Sequence, residues 1–368
     1  MMIKNDMPVY IKLPLILVSL LSIGLIFYLA RNVLTPVLLA FLFAVLLLPI
    51  YTFLNRKLKF PNTLASAVSV LIFILVILII LAFISYQVSI ISGDFEIIKK
   101  NATSFMYDCH KYIKEHFSVS IWEQKKYIQD VTKDSVKKGN ESIGTMLVSF
   151  TDILLDSTLI PIYTFLFLLY KKHFILFLSK LFKKDNHEKL REILFQIKIS
   201  INNYIMGLIF EMIAVSVLTS AGLYFIGIKY FILLGLLTGI LNMIPYIGIL
   251  VAGVLTVVAS FSGSPDFNIV MGILIVNIIV QLIDNNILVP LIINSKVEIN
   301  ALVSIIGIII GGAVAGIAGM FLAIPLLAIL KIIFDRVEGL EPWGYLMGNH
   351  LPKAFTWKIK QKSETEVS

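Results

Sequence analysis

Gln281, Asp284, Asn285 and Asn286 stand together in QLIDNNILVP, residues 281–290, in a stretch that is otherwise aliphatic. An acid in such surroundings is expensive and marks a functional position by default. Gln281, Asp284 and Asn285 are three and four residues apart, which puts them on one face of a helix, and Asn277 extends that face by a turn. A carboxyl group flanked by amides suits the binding or relay of a cation, H⁺ or Na⁺. The competing reading is a satisfied polar network that ties one helix to its neighbours. Glu211, in GLIFEMIAV, is a second acid in apolar surroundings. Asp152 and Asp156, in FTDILLDST, lie early in an apolar run, near an interface where an acid costs little.

Two apolar regions have awkward lengths. Region 231–261 would be about 46 Å long as a straight helix, too long for one crossing and too short for two. Its middle reads NMIPYIG: Pro245 removes a backbone donor, Gly248 adds conformational freedom, and Asn242 and Tyr246 bring polar groups. That is the length pattern of a helical hairpin with its tip at 242–248, and a proline kink in one tilted helix competes with it. Region 299–334 repeats the pattern around GGAVAGIAG, with Gly307, Gly311, Gly312, Gly316 and Gly319. Here the competing reading is close helix packing over small residues. Irregular backbone at membrane depth is tolerated only inside protein or along a cavity, so both breaks point to a path for a permeant.

The elements that must carry these groups follow from composition. The chain of 368 residues is 58% hydrophobic and only 15% charged, where soluble domains hold about a quarter charged residues. With a mean hydropathy of +0.92, the expected class is all-α, a polytopic membrane protein. Full spans are expected at 13–30, 33–54, 64–91, 146–170, 204–227 and 267–293. With the two hairpins this makes about six transmembrane helices plus two discontinuous elements, or eight spans if both are counted. The run from Leu13 to Ala30 reads as an uncleaved first helix.

Lysine and arginine are unevenly placed. They crowd the 55–61 loop, the 171–203 segment and the C-terminal tail from Arg336, which predicts cytoplasmic N- and C-termini. If both misfit regions are hairpins, the 262–266 link lies outside without a Lys or Arg, and Lys296 lies inside. The expected organisation is spans one to three over 1–91 and an external amphipathic helical segment over 92–145. Span four and a basic cytoplasmic helix fill 146–203. A core with two hairpins covers 204–335, and a cytoplasmic tail 336–368.

Other chemistries find no support. No G-x-x-x-x-G-K-[ST] loop, G-x-S-x-G elbow or H-E-x-x-H pair occurs, so neither nucleotide hydrolysis nor an enzyme activity is expected. Five scattered histidines and the single Cys109 give no metal-site spacing and no intrachain disulfide, and no cofactor is expected. The net charge of +8 fits membrane topology better than nucleic acid, because the lysines lie beside the apolar runs.

The segment GLLTGILNMIPYIGILVAGV resembles the central signature of the autoinducer-2 exporter family, the PerM-like permeases. A second similarity lies in the acid and proline late in one helix (Asp284, Pro290), the glycine run (Gly311, Gly312, Gly316, Gly319) and the Ile324–Pro325 pair. The likeness is good over about 145–335, and LIPIYTFLFLLYKK at 159–172 is also similar to the family's middle helix. One departure is Ile249, where the family often has proline after Gly248. The resemblance implies a homo-oligomer, pentameric where members are known, in a bacterial inner membrane, with two hairpins beside the substrate path and an elevator-like movement. It implies export of a small polar solute, autoinducer-2-like, or sodium–proton exchange. A membrane scaffold that docks partners through 92–145 is the expectation from another class.

Overall fold

The computed structural model describes residues 14, 18, 22, 24–117, 119–120, 122–124, 158–243, 248–263, 266–292 and 299–349. Among them the elements are α1 (Arg31–Thr52), α2 (Asn62–Gly93), α3 (Phe95–Phe117), α4 (Thr158–Leu181), α5 (His187–Ile226), α6 (Phe231–Asn242), α7 (Gly248–Ser260), α8 (Phe267–Ile283), α9 (Ala301–Phe334) and α10 (Glu341–Met347). The described residues are all-helical, without strands, and six of the helices are long and apolar enough to cross a membrane. Most of their apolar side chains point outward. Leu71, Leu75, Leu78 and Ile79 of α2 are exposed, as are Phe225 and Ile309, which is the surface a hydrocarbon solvent requires. The chain is a multi-pass membrane protein.

α5 is the central strut. Ile197, Ile201, Tyr204, Ile205 and Leu208 form its core stripe and pack on Leu42 and Val45 of α1 and Leu322 of α9. The spacing of three and four keeps these side chains on one face. α5 stops at Gly227, whose φ of 83° lies in the left-handed region, while the Ile228 N–H bonds back to the Leu223 carbonyl. This pattern satisfies carbonyls that the helix end leaves free. α5 also runs through the boundary expected at 203/204, so the basic segment from 187 and span five are one helix.

The two misfit regions are both hairpins. α6 lies against α5 at backbone distance: a Cβ on Gly235 would run into Ser220, and one on Gly239 into Ser216 and the Met212 carbonyl. α6 begins and α7 ends beside α3. Tyr230 donates to Asp94 Oδ2 at 2.6 Å, the Asn101 side-chain amide donates to the Phe261 and Gly263 carbonyls at 2.9 and 2.6 Å, and Phe105 meets Phe261 ring to ring at 5.2 Å. The expected tip falls at 243–248, where Pro245 and Tyr246 lie outside the described residues. In α9 the chain reverses at Ala315 and Gly316, whose backbone angles are not helical. The glycines of one arm then face the other: Gly311 meets Gly319, Gly312 meets Met320, and Gly307 meets Leu327. The root of this second hairpin sits on α10, where Asn300 pairs with Met347, Leu346 and Gly348, and near α5, where Arg336 Nε bonds Glu192 Oε1 at 3.1 Å. The first hairpin is rooted at the Ile228 end of α5 and the second at the Glu192 end, so they enter from opposite ends. Met243, at the tip of the first, packs on the core to which Leu322 of the second belongs.

The link expected between the first two spans is a break at one residue. Spans at 13–30 and 33–54 require a reversal at 31–32. Residues 24–29 are helical, the Ala30 N–H bonds the Ile26 carbonyl at 2.9 Å, and the Leu34 N–H bonds the Ala30 carbonyl at 2.9 Å. These are the last bond of the helix over 24–29 and the first of α1; Ala30 between them has φ −92° and ψ 8°, which is not helical, so the helix breaks at Ala30. The expected span over 146–170 lies outside the described residues up to 157 and is helical from Thr158. Residues 125–157, within the expected external segment and early span four, and the tail from 350 also lie outside them.

The Asp94 cluster fastens the root of the first hairpin to α2 and α3. Lys229 Nζ lies 2.7 Å from Asp94 Oδ2, and the hydrogen bonds from Lys229 and Tyr230 hold the Asp94 carboxyl below its usual value. A depressed carboxyl contributes stability above its unfolded value, here 3.8, and that stability is lost as pH falls through the lowered value. Asp94→Asn is expected to lower the melting temperature of the detergent-purified protein at pH 7. The gap from wild type should close as the pH is taken below 3.8 in a thermal-unfolding series.

Candidate functional site

Three polar side chains from three helices meet at the tip of the first hairpin. Asn242, the last residue of α6, directs its side-chain nitrogen at both acids: it donates to Glu211 Oε1 at 3.0 Å and to Asp284 Oδ2 at 3.1 Å. Glu211 is 5% exposed and Asp284 3%, so both carboxyl groups are inside the protein. The second oxygens, Glu211 Oε2 and Asp284 Oδ1, have no hydrogen-bond partner. Ion pairs among the described residues join Lys229 to Asp94, Lys331 to Asp335 and Arg336 to Glu192, and none reaches this site.

Local sequence explains the placement. Asp284 opens a widened turn, Asp284–Leu288, in which the Val289 N–H reaches back five residues to the Asp284 carbonyl. Pro290 follows and has no N–H to give the Asn286 carbonyl, so the ordinary ladder cannot run on. Turns of this kind are frequent at functional sites. Gly248 lets the hairpin close, because a Cβ there would strike the Leu241 carbonyl and crowd Asn242. Its role is to hold the backbone of Asn242 where the side chain spans the two acids.

Of the residues singled out by sequence, Glu211, Asn242 and Asp284 are brought together. Gln281 lies one turn before Asp284, and its Oε1 is buried without a partner, as is Nδ2 of Asn277, which abuts Gly253 of α7. Asn285 and Asn286 are exposed and point away from the pair, and the Asn286 amide instead donates to the Leu282 carbonyl at 2.8 Å. Asn285 follows Asp284 directly and stands about 100° further round the helix, so one is buried while the other is exposed. Gly311, Gly312, Gly316 and Gly319 build the second hairpin and its tip, away from the carboxyl pair. Ser216 and Thr219 of α5 carry buried hydroxyl groups without partners. Sequence reasoning passes over them because serine and threonine are ordinary packing residues in such helices.

Chemically, the pair offers two unoccupied carboxyl oxygens and one fixed amide in a desolvated setting. Two such groups cannot both be left charged and unpaired at that depth, so a proton or a bound cation must accompany them. No group of three or more His, Cys, Asp or Glu side chains suited to a metal occurs among the described residues.

Comparison with known proteins agrees with this architecture. The family model described as AI-2E family transporter matches residues 17–339. The chain is 27% identical over 323 residues to YueF of Bacillus subtilis (strain 168), named "Putative transport protein", covering 82% of this chain and 83% of YueF. It is 22% identical over 364 residues to YhhT of Escherichia coli (strain K12), which bears the same printed description, with 95% and 97% covered. A shorter match, 31% identical over 134 residues, joins it to YrrI of Bacillus subtilis (strain 168) and spans 37% of that protein. With a family match along nearly its whole length, long relatives that align end to end and a multi-pass helical fold, the chain belongs to the AI-2E family of membrane transporters.

Proposed function

We propose that this transporter is a secondary transporter driven by H⁺ or Na⁺, with Glu211, Asn242 and Asp284 as its coupling-ion site. The observation that supports it is the buried carboxyl pair, bridged by one amide and without a basic partner among the described residues. Its charge has to be balanced by something that comes and goes. A proton or a monovalent cation that binds there in one conformation and leaves in another is the coupling step of secondary transport. The hairpin tips at Asn242–Gly248 and Gly311–Gly319 are the gates, entering from opposite ends and moving in an elevator-like manner. The cargo is a small polar solute, autoinducer-2-like as the family resemblance implies, exported as the cation enters. Gln281, Tyr246, Asn285 and Asn286 are the proposed hydrogen-bonding residues for it. The protein works as a homo-oligomer, a pentamer by family likeness, in the bacterial inner membrane with its basic loops cytoplasmic.

A second reading is cation–proton antiport without an organic solute. The same pair favours it, since it is a cation site complete in itself. Flux in vesicles separates the two. Purified protein is placed in liposomes loaded with a pH-sensitive dye, and Na⁺, K⁺ and labelled-solute gradients are imposed in turn. A dye response to a solute gradient is the expected result. A response to Na⁺ or K⁺ with no solute effect would select antiport. Solute movement with no dye response and no dependence on the Na⁺ gradient would remove the coupling role of the pair, and no flux of any kind would favour a scaffold.

A further inference from the structure

Arg31 is the first residue of α1, directly after the break at Ala30. Its side chain is exposed and stands between the apolar runs Leu25–Ala30 and Val33–Ala40, where a guanidinium calls for a partner. The structure records little to satisfy it. Arg31 Nη1 reaches the Val314 carbonyl at 3.5 Å, the outer limit for a hydrogen bond, and the guanidinium lies 4.9 Å from the Tyr28 ring centre. The other N–H groups of its fork have no partner among the described residues.

Arg31 also faces a cavity. Phe27, before the break at Ala30, and Arg31, Thr35 and Leu38 of α1 line one wall, and Gly311 and Val314 of the second hairpin belong to the other. Its volume is about 380 Å³, within the usual range for small-ligand sites. Apart from Arg31 and Thr35 the wall is apolar side chain and glycine. Val314 ends the first arm of the hairpin, so its carbonyl belongs to the negative end of that helix and draws the guanidinium to the tip. The tip is fourteen residues from the hairpin root at Asn300, about 21 Å along the arm. A lipid headgroup at the charged root, beside Lys331, Asp335 and Arg336, does not reach it.

We propose that Arg31 and this cavity form a binding subsite for a small amphiphilic organic anion, a carboxylate with an apolar body. The guanidinium fork matches a carboxylate in shape and charge, and the apolar wall takes the body. Occupation would exchange the long contact to Val314 for a bidentate one and release the tip of the second hairpin. The proposal is independent of the coupling-ion reading, because binding here needs no ion gradient.

The test is calorimetric titration of the detergent-purified full chain with sodium benzoate, against benzamide as neutral isostere and at matched sodium chloride. Saturable benzoate binding, absent for benzamide, is expected. Arg31→Gln should weaken it about tenfold or more, as loss of bonds to a charged group does. A cysteine pair replacing Gly307 and Leu327 reports whether the hairpin stays closed in that variant. Thr35→Trp, which fills the cavity and leaves Arg31 in place, should abolish binding as well. No saturable benzoate binding, equal binding of benzamide, or wild-type affinity in both variants would each overturn the proposal.

Discussion

Asp284→Asn is expected to stop coupled flux while the protein still folds. Asparagine has nearly the shape of aspartate, and its side-chain oxygen can still accept from Asn242, so the bridge that now measures 3.1 Å survives. What goes is the charge, and with it an acceptor-only oxygen that has no other partner. A hydrogen bond to a charged group is worth about 1.5–3 kcal/mol, so the coupling ion should bind about 10- to 100-fold more weakly. In dye-loaded proteoliposomes the response to an ion gradient should fall by that order. Glu211→Gln should behave alike. Because the two acids share one amide and one ion, the double variant should be hardly worse than either single one. Wild-type flux and pH dependence in Asp284→Asn would remove the carboxyl pair from the mechanism and turn attention to a structural role for it.

The lengths and breaks of 231–261 and 299–334 pointed to hairpins, because proline and glycine act on the backbone locally, but left a kinked helix and close packing over small residues in competition. The meeting of Glu211, Asn242 and Asp284 was not readable in the same way. Each residue stood out alone, one as an acid in an apolar helix, one at a tip, one in a polar cluster, but no spacing in the chain announces that α5, α6 and α8 converge. Asn285 was grouped with Asp284 because both lie within about a turn of Gln281, yet neighbours in a helix stand about 100° apart, so the acid is buried while the amide is exposed. Arg31 and Asn32 between two oily runs pointed to a break, and the helix does break one residue earlier, at Ala30.

Gly319→Leu is expected to force the second hairpin open. The arms of α9 touch backbone to backbone: a Cβ on Gly319 would overlap the Gly311 carbonyl, and one on Gly311 the Gly319 carbonyl. Neither obstacle is a side chain that can swing aside, so relief requires the arms to part. Overpacking of this sort costs about 1–3 kcal/mol where side chains can adjust, and more is expected where backbone must move. Gly316 adds a separate constraint, since its φ of 59° with ψ of −140° is a conformation open essentially to glycine alone. Gly316→Ala meets no steric neighbour, yet it should cost about 1–3 kcal/mol through backbone strain. Cross-linking separates the hairpin from a straight helix that merely has small residues on one side. In a Cys109→Ser background, cysteines at 307 and 327 lie across the two arms, where Gly307 now meets Leu327. In a straight helix the same positions would be about 30 Å apart. Rapid disulfide formation in the parent, slowed in Gly319→Leu together with a lower melting temperature, is the expected outcome. Failure of the parent pair to cross-link under oxidation would mean that 301–334 crosses as one helix. The second gate, and the path that depends on its movement, would then be lost with it.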